Sequence, residues 1–268
     1  MAYLEQKNPI AETGIQVSPL GLGTVKIGRD KAVKYPDGFQ IPDDEQVIAL
    51  LEQAWESGIN LIDTAPAYGR SEQRLGELLK KVRREWIIAT KAGEYFDAVS
   101  GESHYDFTPE SLIKSIENSL KTLQQDALDI VLIHSDGNDE HIIRHHGALE
   151  VLADLKQRGW IRASGMSTKT VTGGMLTLEQ SDIAMVMHNL QYQEEQSVIE
   201  QAAKLNKGIF IKKALGSGHL AKNSADDNVQ ANFDFIFNEP AVSSVIIGTI
   251  NPAHLRDNIS KVVKALTK

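Results

Sequence analysis

The chain has 268 residues, of which 41% are hydrophobic and none is cysteine. A chain of this length buries a large core without covalent staples, and the lack of cysteine excludes disulfides and thiolate metal sites. Its 28 basic and 36 acidic residues give a formal net charge of -8 at pH 7, which disfavours nucleic acid and anionic membranes as partners. No apolar run is long enough to span a bilayer and no secretory signal is present, so we expect a cytoplasmic protein.

Short β-branched runs alternate with amphipathic helical segments along the whole chain. Eight runs are apolar through their middle and are followed by polar residues or glycine, which is typical of buried strands. The predicted strands are Pro19–Val25, Ile59–Asp63, Trp86–Lys91, Leu128–His134, Ile161–Met166, Ile183–Met187, Gly208–Lys212 and Ser244–Gly248.

The segments between these strands carry helix signals, such as Thr-Pro-Glu at residues 108–110 before one helix and Gly58 after another. The predicted helices are Asp43–Ser57, Thr108–Leu123, Leu149–Arg158 and Val198–Asn206. Strands of this type alternating with helices predict an α/β fold with a parallel sheet covered on both faces. Eight repeats fit a closed (β/α)8 TIM barrel, and we expect residues 1–268 to form a single domain.

Three segments lie outside the strand and helix repeats. Tyr3–Val17 has a turn at Thr13-Gly14 and predicts a β-hairpin outside the barrel. Lys26–Pro42 and Gly93–Phe107 are long loops that follow strands. We therefore expect both loops at the C-terminal face of the barrel, where active sites of such barrels lie.

Four polar residues, Asp63, Tyr68, Lys91 and His134, lie at or just past the ends of strands in the first half of the chain. Taken singly, each also has a structural interpretation: Asp63 as a helix cap, Tyr68 as an aromatic lid, and His134 as a buried histidine. Lys91 follows an apolar run and needs a partner if it is buried, which Asp63 can provide. The ends of barrel strands converge, so these four side chains are expected to meet.

These four residue types suit the reduction of a carbonyl group, which takes a hydride at carbon and a proton at oxygen. A free tyrosine has a pKa of about 10, and a neighbouring lysine is expected to lower the pKa of Tyr68 so that it donates its proton near neutrality. Asp63 would keep Lys91 charged and oriented, and His134 would hydrogen-bond the substrate oxygen.

The chain resembles the aldo-keto reductases through motifs that occur in the same order. The matching stretches are Ser-Pro-Leu-Gly-Leu-Gly-Thr at 18–24, Ile-Asp-Thr-Ala-Pro-Ala-Tyr-Gly at 62–69, Ala-Thr-Lys at 89–91, Leu-Asp-Ile-Val-Leu-Ile-His at 128–134, Gly-Met-Ser at 165–167 and Ile-Gly-Thr-Ile-Asn-Pro-Ala-His-Leu-Arg-Asp-Asn at 247–258. The resemblance implies a barrel closed at the bottom by the N-terminal hairpin, no metal, and NADP(H) bound extended over the C-terminal face. It assigns the catalytic tetrad to Asp63, Tyr68, Lys91 and His134.

The resemblance also implies contacts at the nicotinamide end of the cofactor. It places Gly23 and Thr24 beside the ribose, together with Asp63, and Ser167 and Thr168 at the carboxamide. Two positions depart from the family pattern: Met185 stands where a glutamine is usual, and Lys212 stands where a tyrosine usually stacks on the ring. The methylene stem of Lys212 can still cover the ring. The loop expected at the pyrophosphate comprises Lys213, Leu215, Gly216, Ser217 and Gly218.

The segment expected to hold the 2′-phosphate matches the family least. Gly248 and His254 occupy positions where many relatives supply lysine or arginine, so the remaining donors are Thr249, Asn251 and the helix N-terminus. Asn258 matches an adenine contact. The resemblance therefore implies NADP(H), while the residues leave room for NAD(H).

The expected function is NAD(P)H-dependent reduction of an aldehyde or ketone to an alcohol, with hydride from nicotinamide and a proton from Tyr68. The alternative is an NADP(H)-binding regulatory or redox-sensing subunit with slow turnover. The substrate is expected to be a small carbonyl compound in an open pocket, because we expect the chain to lack the long C-terminal loop of many relatives. Tyr35, Tyr95 and Phe96 are the candidate pocket walls.

Overall fold

Eight parallel strands close into a barrel within the described part of the chain, which in the computed structural model comprises residues 3–33, 35, 38–82, 84–218 and 227–268. The strands in chain order are β1 (Asn8–Pro9), β2 (Gln16–Val17), β3 (Leu20–Gly23), β4 (Leu61–Asp63), β5 (Ile87–Ala92), β6 (Glu94–Phe96), β7 (Ser103–Tyr105), β8 (Leu128–His134), β9 (Ile161–Ser167), β10 (Ile183–Met187), β11 (Gly208–Lys212) and β12 (Val242–Ile247). Around the barrel the order is β3, β4, β5, β8, β9, β10, β11, β12 and back to β3. The predicted (β/α)8 barrel is confirmed, and all eight predicted strands are present.

Helices alternate with the barrel strands. In chain order they are α1 (Val25–Gly28), α2 (Asp44–Glu56), α3 (Ser71–Val82), α4 (Pro109–Leu123), α5 (Asp139–Arg144), α6 (Ala148–Gln157), α7 (Val171–Gln180), α8 (Gln196–Leu205), α9 (Asn228–Ile236) and α10 (Pro252–Leu266). Helix α2 begins with a capping box, in which Asp43 Oδ1 accepts from the backbone of Gln46 and the Gln46 side chain accepts from the backbone of Asp43. None of the helices in the described ranges combines the length and the apolar character needed to cross a membrane.

The N-terminal hairpin closes one end of the barrel. Strands β1 and β2 pair antiparallel, and the turn between them has Gly14 at φ +76° and a hydrogen bond of 2.7 Å from Thr13 Oγ1 to the carbonyl of Ile10. Ile10, Ile15 and Val17 are fully buried and belong to one cluster with residues of the barrel interior. Interior residues of that cluster include Leu61, Ala89, Ile130, Leu132, Ala163, Ile183 and Phe210. The predicted plug is therefore confirmed, and it leaves the opposite end of the barrel for a site.

The segment after β5, which the sequence predicted as a loop, contains a second hairpin. Strands β6 and β7 pair antiparallel, with Glu94 opposite Tyr105. Gly93 joins β5 to this hairpin at φ +102°, and a Cβ there would lie 2.5 Å from the ring of Phe107. This left-handed glycine turns the chain sharply, so the hairpin lies over the mouth of the barrel.

Candidate active site

Asp63 and Lys91 form a buried ion pair at the C-terminal ends of adjacent strands. Strands β4 and β5 pair in parallel, which brings the two side chains together. Lys91 Nζ donates to Asp63 Oδ1 at 2.6 Å and to the carbonyl of Thr64 at 2.9 Å. The two charged side chains are only 2% and 5% exposed. A buried charge is tolerated when it is paired and hydrogen-bonded, as both of these are.

Tyr68 lies in the turn between β4 and α3, next to this pair. Lys91 Nζ is 4.8 Å from the centre of the Tyr68 ring, and the ring of His134 meets the Tyr68 ring edge to face at 6.1 Å. Burial raises the pKa of Tyr68 well above its usual value, and the negative charges of Asp63 and Glu94 raise it further. The expected net lowering of the Tyr68 pKa towards neutrality is therefore wrong. The raised pKa keeps the phenol protonated, which is the state that a proton donor needs.

His134 ends β8 and contacts a carboxylate that the sequence did not point to. Glu94 Oε2 lies 2.6 Å from His134 Nδ1, and the contact has the geometry of an ion pair rather than of a linear hydrogen bond. Burial alone would raise the pKa of Glu94, but His134, Ser103 and Arg29 together lower it to about 2. Burial lowers the pKa of His134, and Glu94 opposes that effect.

The turn that carries Tyr68 is packed closely against α1. A Cβ on Gly28 would lie 2.3 Å from the carbonyl oxygen of Tyr68, so only glycine allows this approach. Arg29, just after α1, donates from Nη1 to the carbonyl of Ala67 at 3.0 Å. Helix α1 therefore fixes the position of the Tyr68 turn from outside the barrel.

A cavity of about 750 Å³ extends from Tyr68 and His134 towards the start of α10. This volume is within the range of cofactor pockets. Most of the predicted cofactor residues line it, namely Gly23, Asp63, Ser167, Lys212, Lys213, Leu215, Gly218, Gly248, Thr249, His254 and Asn258. The donors around the cavity suit a dinucleotide with its phosphates. They comprise cationic side chains, the glycines of the Gly216–Gly218 turn and the N-terminus of α10. The residues present therefore fit the nicotinamide cofactor that the resemblance implies.

Four predicted cofactor residues with described side chains do not line this cavity: Thr24, Thr168, Gly216 and Asn251. Thr168 lines a smaller neighbouring cavity instead. The Thr24 hydroxyl donates to the carbonyl of Asp63 at 2.9 Å, and Thr24 is fully buried. Asn251 Oδ1 caps α10 by accepting from the backbone of Ala253 at 2.8 Å. Gly216 begins a short 3-10 turn at φ +54°. Its neighbour Ser217 has a side chain outside the described part of the structure.

Lys212 occupies the region expected to hold the nicotinamide carboxamide. Its Nζ donates to Ser167 Oγ at 2.9 Å and to the carbonyl of Thr168. Glu195 lies behind these residues and accepts from the backbone of Met187 at 2.9 Å and from Thr168 Oγ1 at 3.3 Å. Burial lowers the pKa of Lys212 to about 8, although Glu195 acts in the opposite direction. Lys212 therefore organises the serine and threonine that the sequence predicted as carboxamide contacts.

A smaller cavity of about 460 Å³ adjoins the larger one. The residues that line both cavities include Tyr35, Tyr68, His134 and Ser167. Of the predicted walls, only Tyr35 lines it. The residues that sequence reasoning missed here include Arg29, Glu94, Tyr105, Ser135 and Lys169.

Tyr95 and Phe96 were wrongly predicted as walls, for two different reasons. Tyr95 lies on the other face of β6 from Glu94, and its hydroxyl contacts Ser111 Oγ at 2.7 Å. Phe96 is covered by the guanidinium of Arg29, 3.6 Å from the ring centre. Glu94 could have been found by the rule that located the tetrad, since it is a polar residue just past a strand end.

Two further groups at the site were also missed. Asp139 is buried and accepts from the Ser135 hydroxyl and from the backbone of Lys169 and Thr170, the last two at 2.8 Å. This carboxylate ties the loop after β8 to the loop after β9. At the far end of the larger cavity, Lys261 Nζ lies 3.1 Å from Asp227 Oδ1 and 2.7 Å from Asp257 Oδ2, and all three residues line the cavity.

A parallel (β/α)8 barrel with aspartate, tyrosine, lysine and histidine gathered at its C-terminal face defines an oxidoreductase of carbonyl and alcohol groups. A sequence model of the Aldo/keto reductase family matches residues 19–234. The chain belongs to the aldo/keto reductase family.

Known proteins similar to this chain agree with that assignment. A solved structure of a Pseudomonas aeruginosa protein assigned to the aldo-keto reductases is 48% identical, covers 99% of this chain and 97% of its own, and superposes with a TM-score of 0.88. The Bacillus subtilis oxidoreductase YqkF is 24% identical over 95% of this chain and 90% of its own length. The NADH-specific methylglyoxal reductase of Escherichia coli is 34% identical over 60% of this chain and 51% of its own length.

Proposed function

We propose that the protein reduces an aldehyde or ketone to the alcohol with a nicotinamide cofactor, and that Tyr68 is the proton donor. The observation that carries this proposal is the buried Lys91–Asp63 pair against the Tyr68 ring, with the centre of the His134 ring 6.1 Å from the centre of the Tyr68 ring. Such an arrangement positions one neutral phenol next to a fixed charge pair and to a group that hydrogen-bonds the substrate.

Each side chain has a separate part in the proposed reaction. Tyr68 gives its hydroxyl proton to the carbonyl oxygen of the substrate as the alcohol forms. Lys91, held by Asp63, stabilises the negative charge that develops on the Tyr68 oxygen. His134 orients the carbonyl oxygen towards Tyr68. The cofactor, when bound, supplies the hydride to the carbonyl carbon.

NADP(H) is our first candidate for the cofactor, because the family resemblance implies it. His254 and Lys261, both on α10, line the cavity and carry donors that suit a phosphate. NAD(H) is the second candidate. The observation that favours it is the pair of carboxylates, Asp227 and Asp257, which lie against Lys261 and would repel an added phosphate. The Escherichia coli relative named as NADH-specific supports keeping both candidates.

The alternative of a slow regulatory subunit is not favoured. The relatives reported above are named as an oxidoreductase and a reductase, and the four residues of the tetrad are all present. A regulatory subunit would hold its cofactor tightly and turn over very slowly. Turnover rates therefore distinguish the two functions directly.

The test is cofactor oxidation by the purified protein with NADPH and with NADH, assayed against small aldehydes, diketones and aromatic aldehydes. We expect turnover that Tyr68→Phe reduces by about 10²–10⁴-fold, the usual effect of losing a positioned general acid, with the cofactor Kd nearly unchanged. Tyr3→Phe, at a residue that is 52% exposed, is the matched control and should behave as wild type. Wild-type rates in Tyr68→Phe would overturn the assignment of the proton donor.

A further inference from the structure

The Glu94–His134 contact has no role in the reaction proposed above. Glu94 Oε2 lies 2.6 Å from His134 Nδ1, and the two side chains are 11% and 20% exposed. The Nδ1 atom is enclosed, and within the described residues Glu94 is the group placed against it. Because imidazole has two nitrogens, a carboxylate at Nδ1 leaves Nε2 for whatever occupies the cavity.

Several local features hold Glu94 at this position. Gly93, in its left-handed conformation against the ring of Phe107, turns the chain so that β6 begins over the barrel mouth. Strand pairing then fixes Glu94 opposite Tyr105. Ser103 and Arg29 lower the pKa of the Glu94 carboxyl and so favour its ionised form. A carboxylate restrained in this way can restrain the ring it contacts.

Arg29 supplies the opposite charge on the outer side of Glu94. Its guanidinium is stacked on Phe96, two residues along the same strand, and donates from Nε and Nη1 to backbone carbonyls of Lys31 and Ala67. The arginine is therefore fixed by its own contacts. It stabilises the ionised form of Glu94 without competing for His134.

We propose that Glu94 is a positioning residue for the reduction proposed above: its carboxylate keeps a proton on Nδ1 of His134, so that the substrate oxygen meets Nε2 alone. This inference rests on the proposed function, because it assigns how His134 meets the substrate. Glu94 itself does not touch the reacting atoms.

The placement of the proton decides which substrate oxygen His134 can bind. With the proton on Nδ1 and a neutral ring, Nε2 is an acceptor and binds the hydroxyl of an alcohol. When the ring is doubly protonated, Nε2 becomes a donor and binds a carbonyl oxygen, while Glu94 balances the charge. Reduction should therefore proceed on the imidazolium–glutamate pair, and Glu94 increases the population of that form.

Other charged groups around His134 oppose the effect of Glu94 on the protonation of its ring. Lys91 on β5 and Lys212 on β11 face the ring and disfavour its protonation, and Asp63 is occupied by Lys91. Tyr68 is neutral at working pH because its pKa is raised. Glu94 is thus the charge that favours the imidazolium form, and its removal should have an effect that these groups do not compensate.

The first test is the pH dependence of kcat/KM for carbonyl reduction in wild type and in Glu94→Gln. Glutamine keeps the size and one acceptor but removes the charge, so the limb that reports protonation of His134 should move to lower pH by about one unit or more. On that limb each unit corresponds to about a tenfold loss of kcat/KM at a fixed pH. Glu102→Gln, at an exposed position in the turn of the same hairpin, is the control and should leave the profile unchanged.

The second test does not depend on turnover. The ring nitrogens of His134 are titrated by ¹⁵N NMR in the full chain, with the signal assigned by its loss in His134→Gln. We expect a protonated Nδ1 in wild type and a lower titration midpoint in Glu94→Gln. If the glutamine variant fails to fold, Glu94→Asp takes its place and should lower the midpoint by a smaller amount. Equal midpoints in wild type and in these variants would overturn the inference. If no carbonyl compound is reduced, the proposed function fails, while the titration still decides the role of Glu94.

Discussion

Lys91 and Asp63 are opposite charges that folding removes almost completely from water. Desolvation of two ions is unfavourable, and their attraction together with the second hydrogen bond to the Thr64 carbonyl offsets it. Such a pair adds little to the free energy of unfolding compared with an apolar pair of the same shape. Its presence next to Tyr68 is therefore better explained by chemistry than by stability.

Removal of one member of this pair should be destabilising as well as inactivating. In Lys91→Met we expect loss of carbonyl reduction and a free energy of unfolding lower by about 3–5 kcal/mol, because Asp63 is left as an unpaired buried charge. The measurement is urea unfolding at neutral pH beside the cofactor-oxidation assay. Arg144→Met is the control, since the Arg144–Glu140 pair is 56% exposed on both sides and should contribute less than about 1 kcal/mol. A Lys91→Met variant that is active and as stable as wild type would contradict the proposed role.

For these individual residues, the sequence predicted which side chains lie close together but not how their pKa values shift. The tetrad could be predicted because each member follows a strand and parallel strand ends converge. The direction of the Tyr68 pKa shift could not, because it depends on burial and on the carboxylates of Asp63 and Glu94 around the phenol. Glu94 is separated from His134 by 40 positions in the sequence, and only the turn at Gly93 brings its carboxylate to the ring.

Among the elements, the β6–β7 hairpin has the most direct influence on the site. It contributes Glu94 and Tyr105 to the smaller cavity, and its orientation depends on Gly93. Gly93 and Gly101 both have positive φ, at +102° and +76°, but a Cβ on Gly101 would meet nothing within 4 Å. The two positions therefore separate the effect of backbone strain from the effect of crowding.

We expect Gly101→Ala to lower the free energy of unfolding by about 1 kcal/mol, from strain alone. Gly93→Ala should cost more, about 2–4 kcal/mol, because the new methyl group would also displace the ring of Phe107. It should lower kcat/KM too, since Glu94 moves with the hairpin. Unfolding curves and kinetics of the two variants provide the check. Equal stability and equal activity in both would show that the crowding at Gly93 is relieved without moving β6.

Secondary structure was predictable where its signals are local. The start of α2 follows from the capping box at Asp43, and the start of α4 from the proline after Thr108. The ends of both helices lie within a residue of the predicted ends. The β6–β7 hairpin has only three residues in each strand, and its aromatic residues do not alternate with polar ones in a strand-like way. Its pairing depends on packing against the barrel mouth, which no local pattern shows.

For the molecule as a whole, the architecture follows from eight repeats of one pattern, since a barrel is closed only when the last strand pairs with the first. Strands β12 and β3 make that pairing, with Val245 opposite Leu20. The adenosine end of the cavity could not be predicted in the same way. Lys261 and the aspartates on either side of it come from α10 and from the start of α9, and their meeting depends on how those helices pack.

Cofactor choice is a property of this whole cavity, and we expect a modest preference for NADPH over NADH. The preference should lie within about tenfold, or 1.4 kcal/mol. His254→Arg should increase it by roughly tenfold or more, because a fixed guanidinium makes charge-assisted hydrogen bonds to phosphate.

The measurement is the Kd of each cofactor for wild type and for His254→Arg at neutral pH. The thermal shift offers a second readout, since a cofactor at 100 times its Kd stabilises the fold by about 2.7 kcal/mol. His145→Arg, at an exposed residue that lines neither cavity, is the charge-matched control. A preference for NADH that the arginine does not change would place the phosphate elsewhere.

The charged side chains that line the two cavities are mostly cationic, whereas the whole chain is negatively charged. The chain carries a net charge of -8, yet cations outnumber carboxylates around both cavities. An anionic dinucleotide approaching from solution is therefore repelled by most of the surface and attracted at the barrel mouth, so that its encounters are guided before any contact forms. Added salt screens both effects, and the association rate of the cofactor should depend on ionic strength more steeply than its dissociation rate.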